Sequence, residues 1–171
     1  YFEPEIMKKS TIVTTNSPHL RDMALKHNPN SFYVGQGCEI EEYKTNKYGK
    51  PQGLENINGI KIGYTGLLSS RRLSIESIEK LAKERPNYQI VLVGPEEDCF
   101  KKSDLHNMDN VHFIGSVPPN ELPSYVHNFD VCINPQVYNE LTKGNYPRKI
   151  DEYLAAGKPT VARYTPTMEV F

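Results

Sequence analysis

From Ile60 onward, short apolar runs alternate with segments of helical spacing, and this alternation leaves few architectures open to the chain. Ile60 to Thr65, Gln89 to Val93, Val111 to Ile114, Asp130 to Asn134 and Thr160 to Ala162 read as five strands. Between them, Ile75, Ile78, Leu81 and Ala82 recur at helical spacing up to the stop at Arg85-Pro86-Asn87. Glu121 to Asn128 reads as a short helix, and Pro147 to Ala156 as another, with Pro in its first turn and Gly157 just past its end. Gln89 to Val93 and Asp130 to Asn134 are nearly unbroken apolar runs, as expected of strands covered on both faces. The pattern predicts an α/β fold: a doubly wound, Rossmann-like parallel sheet with helices on both faces. Ligands of such sheets sit beyond the carboxyl ends of the strands, where the helices that follow begin.

The first part of the chain has a different rhythm. Tyr1-Phe2-Glu3-Pro4 leads toward a strand-like run, and Thr11 to Thr15 is β-branched and reads as a strand. Ser17-Pro18 opens a helix ending near His27, and Phe32, Tyr33 and Val34 form a second strand. From Glu41 to Asn58 the chain is charged, punctuated by Gly and Pro, and poor in aliphatics, which reads as a linker. Residues 1–42 are therefore expected to belong to one domain, 43–59 to a linker and 60–171 to a second domain. A chain of 171 residues has room for one full domain and a piece of another. Its abrupt start and the lack of a polar tail at Glu169-Val170-Phe171 lead to the expectation of an excised fragment.

Charge narrows the partners. Twenty Lys and Arg against 21 Asp and Glu give no field for a polyanion, so nucleic acid is not expected. The three cysteines, Cys38, Cys99 and Cys132, are far apart and odd in number, which suits reduced thiols in a cytoplasmic setting. No apolar run is long enough to span a bilayer. The five histidines lack metal-ligand spacing and are given no role as ligands.

The richest segment runs from Asn139 to Ala162. A polar loop containing Gly144 and Asn145 feeds the helix at Pro147, with Lys149 in the first turn and Glu152 three residues on, so both side chains leave one face. A cation near a helix start is mildly unfavourable for the helix and suits an anionic ligand such as a diphosphate. Glu152 is placed to accept hydrogen bonds from two adjacent ribose hydroxyls. The plain alternative is a surface ion pair between Lys149 and Glu152.

The run from Pro147 to Ala162 resembles the donor-site helix of the retaining glycosyltransferases of the GT-B fold, the "group 1" or family 4-like superfamily. Ile62-Gly63-Tyr64-Thr65-Gly66-Leu67-Leu68 is similar to that family's first strand and glycine turn, and Gln89 to Pro95 and Asn110 to Gly115 to the strands that follow. Leu122 to Tyr125 and Asp130-Val131 are similar to its helix and fourth strand, so the resemblance covers about Ile60 to Phe171. Ile12 to Ser17 and Val34 to Glu39 resemble the last strand and crossover of its amino-terminal domain, most of which would be missing here. Two departures stand out. Many members carry a glutamate near the donor sugar eight positions before the ribose-binding one, where this chain has Gly144. Arg71 and Arg72 are present after Gly66, but the lysine that often follows gives way to Leu73-Ser74-Ile75.

The resemblance implies metal-independent transfer of a sugar from a nucleotide-diphosphate donor, with retention and without a cofactor, to a glycan or lipid-linked acceptor held by the missing domain. The absence of an Asp-x-Asp triplet, which metal-dependent glycosyltransferases use, accords with it. It places Gly66, Leu67, Arg72, Gly144, Asn145, Lys149 and Glu152 at the donor, and leaving-group charge on Lys149, an arginine of the Ser69 to Arg72 loop and the Gly66-Leu67 N–H groups. No catalytic residue is assigned. It also implies polysaccharide biosynthesis, with peripheral membrane association of the full-length protein, and base selection by backbone near Ile114-Gly115. Two other readings stay open at this point: a non-catalytic interaction or regulatory module, and a sugar-nucleotide epimerase of the same architecture.

Overall fold

A computed structural model describes residues 3–45 and 48–171. Tyr1 and Phe2, from the segment that leads toward the expected strand, and Asn46 and Lys47, from the expected linker, lie outside the described residues. The chain divides into two compact units, one formed by Tyr1–Gly37, Tyr138–Arg148 and Tyr164–Phe171, the other by Cys38–Val137 and Lys149–Arg163. This division differs from the boundaries read at 42 and 59.

The first unit contains α1 (Glu3–Lys9), β1 (Val13–Thr15), α2 (Pro18–Leu25) and β2 (Ser31–Tyr33), with β1 and β2 paired in parallel. β1 lies within the strand read at Thr11 to Thr15, and α1 precedes it where no element was expected. Its first turn carries Glu3 and Glu5 and its last Lys8 and Lys9, complementing the helix dipole, and Lys8 pairs with Glu5 at 3.0 Å. Ser17 caps α2, its hydroxyl accepting from the Leu20 N–H at 3.3 Å. Asn28 ties the unit together: its amide donates to the carbonyls of Met7 at 2.8 Å and Ser10 at 2.7 Å, while its Oδ1 accepts from the Asn30 N–H at 2.8 Å.

The second unit carries α3 (Ile40–Lys44), β3 (Lys61–Thr65), α4 (Ile75–Glu84), β4 (Gln89–Val93), α5 (Asp98–Lys101), β5 (Val111–Gly115), α6 (Leu122–His127), β6 (Val131–Asn134), α7 (Lys149–Ala155) and β7 (Thr160–Ala162). Its five-stranded sheet runs β5-β4-β3-β6-β7, parallel throughout. β3 pairs with β4 on one side and β6 on the other, which makes its carboxyl end the topological switch point.

Strand alternation distributes the side chains of β3. Ile62 and Tyr64 join Ile90, Leu92, Ile78 and Ala82 in one core cluster. Gly63 faces the other way, where a Cβ would lie 2.0 Å from the Phe129 ring, so only glycine lets that ring seat on the strand. α3 packs against α6 and α7.

The expected linker is partly a structural element. Tyr43, Leu54 and Ile57 are buried, and the Tyr125 hydroxyl donates to the Gln52 carbonyl at 2.9 Å. Three apolar anchors are enough to fix a segment whose charged composition reads as solvated. Among the described residues, no helix is long and apolar enough to cross a membrane.

Candidate functional site

Two glycine turns shape the carboxyl edge of the sheet. Gly66 follows β3 with φ of +131° and Gly94 follows β4 with φ of +143°, a backbone region open to glycine and strained for other residues. A Cβ on Gly94 would lie 2.0 Å from the Gly66 carbonyl oxygen, so the two turns touch backbone to backbone. The Gly66 N–H donates to the Val93 carbonyl at 2.8 Å, and the Leu68 N–H to that of Pro95 at 2.9 Å. This corrects one expectation: the Gly66 N–H is engaged in joining the turns, and of the Gly66-Leu67 pair only the Leu67 N–H remains a candidate for an external anion.

The loop after this turn is also fixed. Ser69, buried, donates from Oγ to Glu97 Oε2 at 2.8 Å, and its carbonyl accepts from the N–H groups of Arg72 at 3.0 Å and Leu73 at 2.8 Å. Arg71 and Arg72 project from it, exposed.

Helix α7 delivers Lys149 to the same edge. The helix begins at Lys149, two residues later than Pro147, the start read from the sequence. Tyr153, fully buried on α7, accepts from the Thr65 N–H at 2.8 Å and lies 3.1 Å from Thr65 Oγ1, which pins the helix to the end of β3. Lys149 Nζ donates to the Tyr64 hydroxyl at 2.9 Å and stands 4.4 Å from the centre of that ring. A Cβ on Gly66 would be 3.0 Å from Nζ and 3.1 Å from the Tyr64 hydroxyl, so the lysine lies against a bare Cα.

The electrostatics match the geometry. Burial draws the Lys149 ammonium down to about 8, the Glu152 carboxylate works in the opposite direction, and the nearby Arg72 charge lowers it further. Burial raises Tyr64 well above the usual phenol range, with Arg72 opposing, so the phenol stays neutral. The edge therefore gathers two cationic side chains and one carboxylate around a close backbone turn. That arrangement can hold a polyanion on the cations and hydroxyl groups on Glu152.

Gly66, Leu67, Arg72, Lys149 and Glu152 all belong to the sheet unit, whereas Gly144 and Asn145 belong to the other. In that unit Gly144 is buried, and a Cβ there would lie 2.4 Å from the His19 ring. The Asn145 N–H donates to the Thr142 carbonyl at 3.0 Å. The loop near Ile114-Gly115 lines a cleft of about 700 Å³ together with Gln52, Gly53, Glu121 and Tyr125. Four histidines have local neighbours: His19 beside Gly144, His106 bonded to Glu96 at 2.8 Å, His112 to Gln89 at 2.7 Å, and His127 stacked on Tyr48.

Reading the sequence missed Tyr64 and the engagement of Gly94 with Gly66. Tyr64 sits two residues before a glycine turn at a strand end, the one local hint that it faces the switch point.

Known proteins share this fold. Residues 59–170 match the family described as glycosyl transferases group 1. The chain is 28% identical over 172 residues to the Bacillus subtilis protein named "Putative teichuronic acid biosynthesis glycosyltransferase TuaH", covering 96% of this chain and 43% of that one. Anabaena HepE in complex with UDP-glucose superposes with a TM-score of 0.78 at 20% identity, over 98% of this chain and 49% of its own. Sucrose-phosphate synthase from Thermosynechococcus elongatus gives a TM-score of 0.76 at 19% identity, over 98% and 44%. The chain thus spans less than half the length of these relatives, and its fold is that of the GT-B glycosyltransferases. By the family match over most of its length, the chain belongs to the glycosyl transferases group 1 family.

Proposed function

We propose that this chain supplies the donor-binding part of a retaining glycosyltransferase that takes its sugar from a nucleotide diphosphate. One observation carries this reading: the Lys149 ammonium lies against the bare Gly66 turn at the switch point, with Glu152 on the same helix acting on its charge. A diphosphate there gains charge-assisted hydrogen bonds from Lys149 and Arg72, and Glu152 accepts from the ribose hydroxyls. As the glycosidic bond breaks, charge accumulates on the departing diphosphate. Fixed cations stabilise it most at that moment, and no metal is needed in this scheme.

Gly144 and Asn145 are kept in this reading as donor-binding residues. The acceptor is a glycan or a lipid-linked sugar held by the rest of a longer protein, which works in the cytoplasm with peripheral membrane association and builds a polysaccharide. The HepE structures carrying UDP and UDP-glucose share this fold, which makes UDP the first nucleotide to try.

Thermal melts with millimolar UDP, GDP and ADP test the reading. At least one should raise the melting temperature, because a ligand bound only by the native state stabilises it by mass action. Glu152→Ala should remove that shift. Absence of a shift with all three nucleotides would return the chain to the non-catalytic module.

A further inference from the structure

The proposed donor site explains why a cation stands at the Gly66 turn but not what holds it there. Lysine has four rotatable bonds, and an ammonium left to itself favours water over a position above a backbone turn. Here Nζ meets a neutral acceptor, the Tyr64 hydroxyl at 2.9 Å, and an aromatic face at 4.4 Å. The hydroxyl is oriented in its turn, since it donates to the Leu67 carbonyl at 3.3 Å. With its hydrogen committed to Leu67, the oxygen presents a lone pair to the ammonium. Tyr64 cannot swing away: it is 2% exposed and belongs to the core cluster beneath α4.

We infer that Tyr64 is a positioning residue for Lys149, setting both the location of the ammonium over the Gly66 turn and the pH range in which it stays charged for an incoming diphosphate. This rests on the donor-site reading above. Three groups act on Nζ from the elements around it: Tyr64 from β3, Arg72 from the loop after β3, and Glu152 from α7. Glu152 and Tyr64 favour the charged form, whereas burial and Arg72 oppose it. Removing the phenol oxygen deletes one of the two supports for the charge and leaves the ring in the core.

The consequence is a pH dependence of affinity. A bound diphosphate favours the protonated lysine, so above the point where the free site loses its proton, binding must take one up. Affinity then falls by up to about tenfold per pH unit, whereas below that point it is flat in this group.

Calorimetric titration of UDP between pH 6.5 and 9.5 tests the inference in the wild type, Tyr64→Phe, Lys149→Met and the double variant, with thermal melts confirming that each is folded. If UDP is silent, GDP or ADP takes its place. In the wild type the dissociation constant should rise above about pH 8. Tyr64→Phe should weaken binding by about tenfold at pH 7.5, the loss expected for a hydrogen bond to a charged group, and move the onset of the rise to lower pH. In the Lys149→Met background the rise should vanish and Tyr64→Phe should add nothing. If Lys149→Met weakens binding while Tyr64→Phe leaves both affinity and onset unchanged, Tyr64 does not position the lysine. The same conclusion follows if Tyr64→Phe weakens binding equally with and without Lys149. Failure of all three nucleotides to bind the wild type defeats the donor-site reading itself and this inference with it.

Discussion

The two compact units are stabilised by different means. Among the described residues, every buried aliphatic, aromatic or sulfur-bearing side chain except Ala24 and Pro147 lies in the sheet unit, including Ile62, Leu68, Ile90, Leu92 and Phe100. The other unit buries Ser17, Asn28, Ser31, Thr142, Thr165 and Thr167, and leaves Ile12, Phe32, Val34 and Tyr164 exposed. Apolar burial is non-directional and tolerates small shifts of position, whereas side chain to backbone hydrogen bonds are each worth about 1 kcal/mol net and fail when geometry slips. The sheet unit should therefore unfold last. In hydrogen exchange, amides of β3 and β4 should outlast those of β1 and β2.

Four substitutions sharpen or break that contrast. The largest effect is expected at Gly94. Alanine there meets the Gly66 carbonyl oxygen, which cannot move without β3, so Gly94→Ala should cost at least about 3 kcal/mol and abolish a cooperative melt of the sheet unit. Next is Asn28→Ala in the other unit, where three hydrogen bonds are lost and two backbone carbonyls are left without that donor. A cost of about 2–3 kcal/mol is expected, with exchange accelerated in β1 and β2 and unchanged in β3 and β4. Equal acceleration in both units would break the distinction.

Third is Lys149→Met, which should stabilise the protein at pH 7. The folded-state value of Lys149, about 8, lies below the ordinary lysine value of 10.5, so the buried ammonium costs stability fully below pH 8. That cost fades as pH rises from about 8 to 10.5, because the unfolded chain then holds a proton that the native chain has released. A gain on the order of 2 kcal/mol at pH 7, shrinking toward pH 10, is expected in denaturant titrations. A gain that does not vary with pH would mean that packing alone is responsible. Smallest is Gly144→Ala. The obstacle there is the His19 side chain rather than backbone, and the ring can rotate away, so a cost within about 1 kcal/mol is expected.

The legibility of the chain follows the same divide. β4 and β7 coincide with the residues read from sequence, because a nearly unbroken apolar run or a β-branched pair next to Gly or Pro fixes a strand locally. α1, α3 and α5 were missed: each is four to seven residues long, too short for a helical period to show. α3 lies in a charged run, and its own buried residue is Tyr43, on a helix that packs against α6 and α7. At the candidate site, Lys149 and Glu152 were legible because three-residue spacing on a helix is a local signal. Tyr64 was not, since its partner lies 85 positions away and no local pattern marks a tyrosine that will receive a distant lysine. The three-segment assembly of the other unit was invisible for the same reason.

The contact between the Gly66 and Gly94 turns also bears on how this edge can be diversified. A methyl group on Gly94 would run into the Gly66 carbonyl, and one on Gly66 would sit at a strained φ of +131° against the Lys149 ammonium. A library randomised at either position would therefore be mostly damaged clones. Ser70, Arg71 and Arg72 are exposed on a loop whose backbone is fastened from below through Ser69, and they can change chemistry without disturbing the sheet. Selection for altered ligand preference, natural or directed, has its freedom in those three positions, while the two glycines are inherited as a pair.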